Sequence, residues 1–239
     1  MSAAVIRTAI LLAAGEGSRL RGAAPSKPLC PVAGRPLIDH ALHGLATAGL
    51  ERAIVVLGYR AGDVEAHLAA QPWPLAVETV RTPDHLQPNG VSVLAARAAS
   101  GSGDAVLAMC DHLAAPALYA RLARTGANGG ATLGIDRRLG HPWIDPEDVT
   151  CVATEGDRIV AIGKGLDPHD AYDTGVFAIG PALMAALASL PVPSLTDGIR
   201  LLAAQCRART VDCSDLDWID VDDAPALAKA EIWALNRAA

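Results

Sequence analysis

The chain is 239 residues long, 51% apolar and formally charged −6, with five scattered cysteines. That length suits one large α/β domain or two small ones with a sizeable core. The acidic balance disfavours general nucleic-acid binding. The odd number of cysteines, without a Cys-x-x-Cys, argues for reduced, buried thiols and against a disulfide framework or zinc site. The N-terminus carries no signal-peptide pattern, and no apolar run approaches the ~18 residues of a membrane span. A soluble cytoplasmic protein without membrane insertion is expected.

Residues 10–14 form an apolar run that reads as a buried parallel strand. It ends in Gly15-Glu16-Gly17, where the backbone can turn sharply and approach a ligand closely. Arg19 follows at once, and Lys27 comes after a Pro-bearing turn. Backbone amides beside two fixed cations suit a polyphosphate. The loop is not a dinucleotide fingerprint, because Leu20 stands where the third glycine belongs, and it is not a P-loop. Gly-x-Gly alone is equally compatible with an ordinary strand-to-helix turn.

Helical spacing runs over 37–48 and ends at Gly49. A strand is expected over 53–57, a helix over 61–68, a strand over 75–80 and a Pro-bearing loop over 82–89. A helix over 90–99 and a buried strand over 105–109 complete a βαβ rhythm, so ligands should sit beyond the carboxyl ends of the strands. The second half is expected to hold a helix over 116–124, a strand over 131–135 and a hairpin of 149–153 with 158–162. A strand over 173–179 and helices over 181–190, 195–206 and 224–236 follow.

Asp111 directly follows the 105–109 strand, at the sheet edge where the Gly loop also lies. Asp220 and Asp222 fall on alternate positions of Trp218-Ile219-Asp220-Val221-Asp222 and point the same way if that stretch is extended. Asp111 with Asp220 or Asp222 could hold a hard divalent cation such as Mg²⁺, the alternative being solvated loop aspartates. His112 reads as a structural neighbour of that site, the alternative being a base or ligand. Asn89-Gly90 could meet a base edge or simply cap a helix. Asp136-Arg137, Lys164 and Asp173-Thr174 flank predicted strands. Arg137 and Lys164 are candidate clamps for a second anion and Asp173 and Thr174 candidate hydroxyl binders, against a reading as surface polar groups. Asp145-Pro146-Glu147-Asp148 reads as a solvated turn.

The loop, together with Ser18-Arg19-Leu20, Ser26-Lys27-Pro28-Leu29 and Val32-Ala33-Gly34-Arg35-Pro36-Leu37-Ile38, strongly resembles the signature of the sugar-1-phosphate nucleotidylyltransferase superfamily. Met109-Cys110-Asp111-His112-Leu113, Ile135-Asp136-Arg137-Arg138, the run 145–149, Ala161-Ile162-Gly163-Lys164 and Tyr172-Asp173-Thr174-Gly175-Val176-Phe177 look like its inositol-1-phosphate cytidylyltransferases. The family often has Thr where Asp223 stands, a departure that removes no candidate ligand. The resemblance implies a Rossmann-like doubly wound, mixed and mainly parallel α/β sheet, the nucleotide-diphospho-sugar transferase fold. It would form a single domain over 1–239, with a nucleotide half to about residue 115 and an acceptor half after it.

The resemblance also implies transfer of CMP from CTP to inositol-1-phosphate, dependent on Mg²⁺. Catalytic residues would be Arg19, Lys27 and Asp111. Nucleotide contacts would come from Leu12, Ala13, Ala14, Gly15, Glu16, Gly17, Ser18, Arg19, Lys27, Asn89, Gly90 and Ser92. The acceptor would meet Asp136, Arg137, Lys164, Asp173 and Thr174, and the metal Asp111, Asp220 and Asp222. In many relatives this domain is fused to a membrane phosphotransferase. Here the product would pass to a separate one, and a homodimer is compatible with the sequence. Other phosphorylated acceptors (a hexose-1-phosphate, phosphocholine or an aminoalkylphosphonate) and a non-catalytic nucleotide-binding subunit are the alternatives.

Overall fold

A computed structural model describes residues 5–238. Residues 1–4, on which the expectation of a leader-free N-terminus partly rests, lie outside the described residues. The first apolar run forms β1 (Thr8–Ala13), whose last five residues are buried. It shows no alternation because both faces are covered. Ala9, Leu11 and Ala13 pack in one apolar layer, Ile10 and Leu12 in the other.

The chain continues through β2 (Pro31–Val32), β3 (Arg35–Pro36), α1 (Leu37–Thr47), β4 (Arg52–Leu57), α2 (Ala61–Ala69) and β5 (Ala76–Arg81). Then come α3 (Asn89–Ala95), α4 (Arg97–Ser100) and β6 (Ala105–Met109). β5, β4, β1 and β6 lie side by side, all parallel. β1 and β6 are neighbours in register, Leu12 beside Met109. The Gly loop after β1 and Asp111 after β6 therefore leave the sheet at the same carboxyl edge, where open α/β sheets place their ligands.

The second half comprises β7 (His112–Ala114), α5 (Pro116–Thr125), β8 (Ala131–Asp136), β9 (Thr150–Glu155), β10 (Arg158–Lys164) and β11 (Ala171–Ile179). It ends with α6 (Pro181–Ala188), α7 (Leu195–Ala204), β12 (Ala208–Asp212), β13 (Trp218–Asp220) and α8 (Ala224–Ala238). The sheet grows to nine strands in the order β5-β4-β1-β6-β11-β8-β12-β10-β9. Beyond β6 it is antiparallel except for the β8–β12 pair. β9 curls back to pair the start of β11. One apolar layer holds α1, α2, α5 and α8; the other holds α3, α6 and α7.

Element ends follow local chemistry. α5 and α6 begin on proline, whose missing N–H is no loss at a helix start. Ser194 caps α7, its Oγ accepting from the Asp197 amide at 3.1 Å. The helix read over 90–99 breaks at Ala96 into α3 and α4 and begins one residue earlier, at Asn89. Four cysteines are buried, whereas Cys206 is exposed. Among the described residues, no helix is long and apolar enough to cross a membrane.

Candidate active site

Gly17 adopts a left-handed conformation (φ 57°, ψ 42°). A Cβ there would lie 2.3 Å from the Cβ of Lys27. Glycine is thus required twice, by the backbone and by the close approach of the lysine stem. Short 3-10 turns over Ser18–Leu20 and Lys27–Leu29 set Arg19 and Lys27 on the same side of the loop's ligand edge. Lys27 is only 10% exposed; its Nζ lies 2.6 Å from Asp111 Oδ2 and also pairs with Asp222. Burial pulls the lysine pKa down, but Asp111, Asp220 and Asp222 outweigh it and raise it overall, so Lys27 is a fixed cation. Burial likewise works against ionised Asp111, and the charges of Lys27 and His112 more than offset it, lowering its pKa.

Asp111 and Asp220 are far apart in sequence and are joined by a two-stranded antiparallel pair. β7 and β13 align Ala114 with Trp218, Leu113 with Ile219 and His112 with Asp220. The Val221 amide extends the pairing by donating to the Asp111 carbonyl at 3.0 Å. Asp111, His112 and Asp220 thereby bring potential ligand atoms within 4.8 Å of one another. Asp220 Oδ1 is buried with no hydrogen-bond partner among the described residues.

His112 is held on three sides. Its Nδ1 donates to the Thr174 carbonyl at 3.0 Å, its Nε2 sits 3.4 Å from Asp220 Oδ2, and its ring stacks on Trp218 at 5.9 Å. Burial disfavours its charge, but the Asp220 carboxylate dominates and lifts its pKa to about 10. Room for this ring exists because β11 bulges at Gly175 (φ 76°), where a Cβ would fall 2.2 Å from His112 Nδ1.

These groups open on a cleft of about 360 Å³ between the sheet edge, the 143–149 segment and the start of α8. Met109, Trp143, Ile162, Phe177 and Trp218 form its apolar walls. Arg19, Lys164 and Lys229 face six carboxylates: Asp145, Asp148, Asp173, Asp220, Asp222 and Asp223. Arg19 Nη2 bonds Asp222 at 2.7 Å and Asp148 at 2.9 Å, and Lys164 pairs with Asp148. Asp173 accepts from the Gly175 amide at 2.7 Å, while burial raises its pKa to about 6.

Of the sequence candidates, Arg19, Asn89, Lys164, Asp173, Asp220 and Asp222 line the cleft, and Lys27 and Asp111 reach it through Asp222 and Asp220. Leu12, Ala13 and Ala14 are buried at the end of β1, Gly15 and Ser18 are exposed, and Glu16 pairs with Arg21. Asn89 Oδ1 accepts from the Leu195 amide at 2.9 Å. A Cβ on Gly90 would stand 2.5 Å from the Pro193 carbonyl oxygen, so packing demands that glycine. Ser92 is buried in α3.

Three acceptor candidates are not brought to the cleft. Asp136 is 0% exposed, with both oxygens engaged by Arg138 and Oδ2 also accepting from Trp218 Nε1 at 2.9 Å. Arg137 turns outward to Asp170 and Thr154. Thr174 is buried and donates to the Gly134 carbonyl at 2.8 Å. Asp148, read from sequence as part of a solvated turn, is instead a cleft residue. The turn exists, with the Glu147 amide donating to Asp145 Oδ1 at 2.9 Å, but Asp148 is only 23% exposed. The run 145–149 carries the family resemblance, but composition and spacing do not place Asp148 in the cleft, because its partners lie 129 and 16 residues away.

Comparison with known proteins decides the family. A model of the MobA-like NTP transferase domain matches residues 9–159. The chain belongs to the MobA-like NTP transferase family. Among curated family relatives, the bifunctional IPC transferase and DIPP synthase of Rubrobacter xylanophilus is 35% identical over 97% of this chain and 52% of its own length. The bifunctional protein GlmU of Dinoroseobacter shibae is 32% identical over 93% of this chain and 51% of its own. The chain thus spans about half the length of these relatives. The solved inositol-1-phosphate CTP transferase from T. maritima superposes with a TM-score of 0.85 at 25% identity, covering 96% of each chain. A UTP-bound UGPase from Acinetobacter baumannii shares the fold, with a TM-score of 0.76 at 21% identity over 96% of this chain and 93% of its own. The chain is therefore a nucleotidyltransferase-family protein with the nucleotide-diphospho-sugar transferase fold.

Proposed function

We propose that the protein transfers CMP from CTP to inositol-1-phosphate, giving CDP-inositol and pyrophosphate. The observation that carries this reading is the convergence, on one cleft edge, of the loop cations Arg19 and Lys27 with the carboxylates Asp111 and Asp220. The likeness to the IPC transferase of Rubrobacter xylanophilus and to the T. maritima enzyme supports the choice of substrates.

A phosphate oxygen of the acceptor bonds to the α-phosphorus of CTP as the bond to the bridging oxygen of the β-phosphate breaks. The acceptor phosphate has a second pKa near 6 and is a nucleophile at neutral pH, so no strong base is needed. Rate enhancement comes from positioning and from charge held in place beforehand. Lys27 neutralises charge at the reacting phosphates, Arg19 receives the departing pyrophosphate, Lys164 the acceptor phosphate, and Asp173 accepts from acceptor hydroxyls. Asn89, with its oxygen engaged, offers amide hydrogens to the base.

The residues present fit a hard cation. Six cleft carboxylates outnumber the four basic side chains Arg19, His112, Lys164 and Lys229, and one buried Asp220 oxygen has no partner among the described residues. Asp111 and Asp220, with Asp222 beside them, would hold Mg²⁺, which supplies charge neutralisation at the phosphates. Passing CDP-inositol on to a membrane phosphotransferase belongs to the same reading.

The sugar-1-phosphate nucleotidylyltransferase signature of the 15–27 loop leaves a second reading, in which the acceptor is a hexose-1-phosphate. Mass spectrometry of products from an equimolar mixture of inositol-1-phosphate and glucose-1-phosphate with CTP and UTP tests both. CDP-inositol as the main product supports the first reading; a nucleoside-diphosphate hexose replaces it with the second.

A further inference from the structure

Arg19 and Lys164 belong to different halves of the protein, one on the phosphate loop and the other at the end of β10. Both are long, mobile side chains and are largely exposed, 54% and 61% respectively. Left to themselves, such cations spread into solvent, because holding them costs rotamer entropy. Here one carboxylate draws them together. Asp148 Oδ2 accepts from Arg19 Nη2 at 2.9 Å and Asp148 Oδ1 pairs with Lys164. Arg19 has Asp222 as a second anchor at 2.7 Å, whereas the ion pair of Lys164 is with Asp148. Asp148 itself is set by the Asp145 turn, through the Val149 amide donating to the Asp145 carbonyl at 3.0 Å.

We propose that Asp148 is a positioning residue that couples the two phosphate subsites, holding Arg19 for the nucleotide and Lys164 for the acceptor over one point of the cleft. The inference rests on the reading of Arg19 and Lys164 as phosphate-binding cations. It makes a distinctive demand: one substitution must weaken both substrates together, whereas loss of either cation alone weakens mainly its own. A carboxylate that merely occupied the phosphate position would have the opposite sign, since removing its charge would tighten both.

The test compares wild type with Asp148→Asn, Asp148→Glu and Lys164→Ala, by steady-state kinetics and by calorimetric titration of inorganic pyrophosphate with Mg²⁺. Asp148→Asn should raise KM for CTP and for the acceptor about 3–10-fold each, within the range of a partly exposed ion pair. It should lower kcat by less than it raises either KM, keep Tm unchanged and weaken pyrophosphate binding. Lys164→Ala should raise KM for the acceptor only, and Asp148→Glu should recover part of both losses. A fall in either KM, no change, or a change confined to one substrate overturns the proposal. Pyrophosphate is released whatever the base or acceptor, so its binding separates the two claims. If wild type binds pyrophosphate but turns over no substrate pair, the functional reading fails while the pyrophosphate affinity of Asp148→Asn still decides the role of Asp148. If neither protein binds pyrophosphate, both fail.

Discussion

Lys27 concentrates the site's electrostatics in one side chain. It is nearly buried, fixed by the Gly17 turn, and bonded to Asp111 and Asp222. Lys27→Ala should lower kcat about 10²–10³-fold, the loss typical of removing one pre-placed donor from developing negative charge. Circular dichroism should show a retained fold, and near-normal turnover would contradict the role. Asp173 provides a pH test. Its folded pKa of about 6 lies above the ~3.9 of an unfolded aspartate, so folding favours the protonated form and the ionised carboxylate destabilises the protein above about pH 6. Asp173→Asn should raise Tm by about 2–4 °C at pH 8 without metal or substrate, and the gain should vanish as pH falls from 6 to below 4. A gain that persists at pH 4 would contradict the assignment. At this scale the sequence was informative where chemistry is local: Gly17 and Arg19 follow β1, Asp111 follows β6, and Lys27 sits in the Pro-bearing turn beyond the loop. It did not reveal that the polar groups of Asp136 and Thr174 turn to buried neighbours, or that Asp148 meets partners from elsewhere in the chain.

At the scale of elements, the paired β7 and β13 assemble the candidate metal site, and the Gly175 bulge in β11 seats His112 against it. Gly175→Ala would push a methyl group into the imidazole and impose a strained positive φ. Groups that orient ligands typically contribute 10–100-fold to metal affinity. The variant should therefore bind Mn²⁺, used as a spectroscopic substitute for Mg²⁺, about 10-fold more weakly by electron paramagnetic resonance. Unchanged affinity would show that the seat of His112 does not act on the carboxylates. The β-strands with continuous apolar runs were legible in sequence, as were the Pro-initiated helices. β12 was not, because its half-buried residues carry no period, and its place comes from parallel pairing with β8. β7 and β13 are three residues each and exist only as partners.

For the whole molecule, the fold follows from a doubly wound N-terminal half whose carboxyl edge holds the loop cations. The antiparallel second half carries Lys164, Asp148 and Asp173 to the other side of the same cleft. The alternation of strand and helix revealed the first half. The second depends on the long-range pairings of β11 with β6, β8 and β9, which no local pattern encodes. The central claim is nucleotidyl transfer from CTP to inositol-1-phosphate. Its most direct test is the rate of pyrophosphate release for each of the four ribonucleoside triphosphates with Mg²⁺, against inositol-1-phosphate, glucose-1-phosphate, phosphocholine and aminoethylphosphonate. The account predicts release with CTP and inositol-1-phosphate at a kcat/KM at least about 10²-fold above every other pair, the discrimination expected when a polar site is built for one substrate. A different preferred pair, or silence from folded protein that still binds nucleotide, would contradict it.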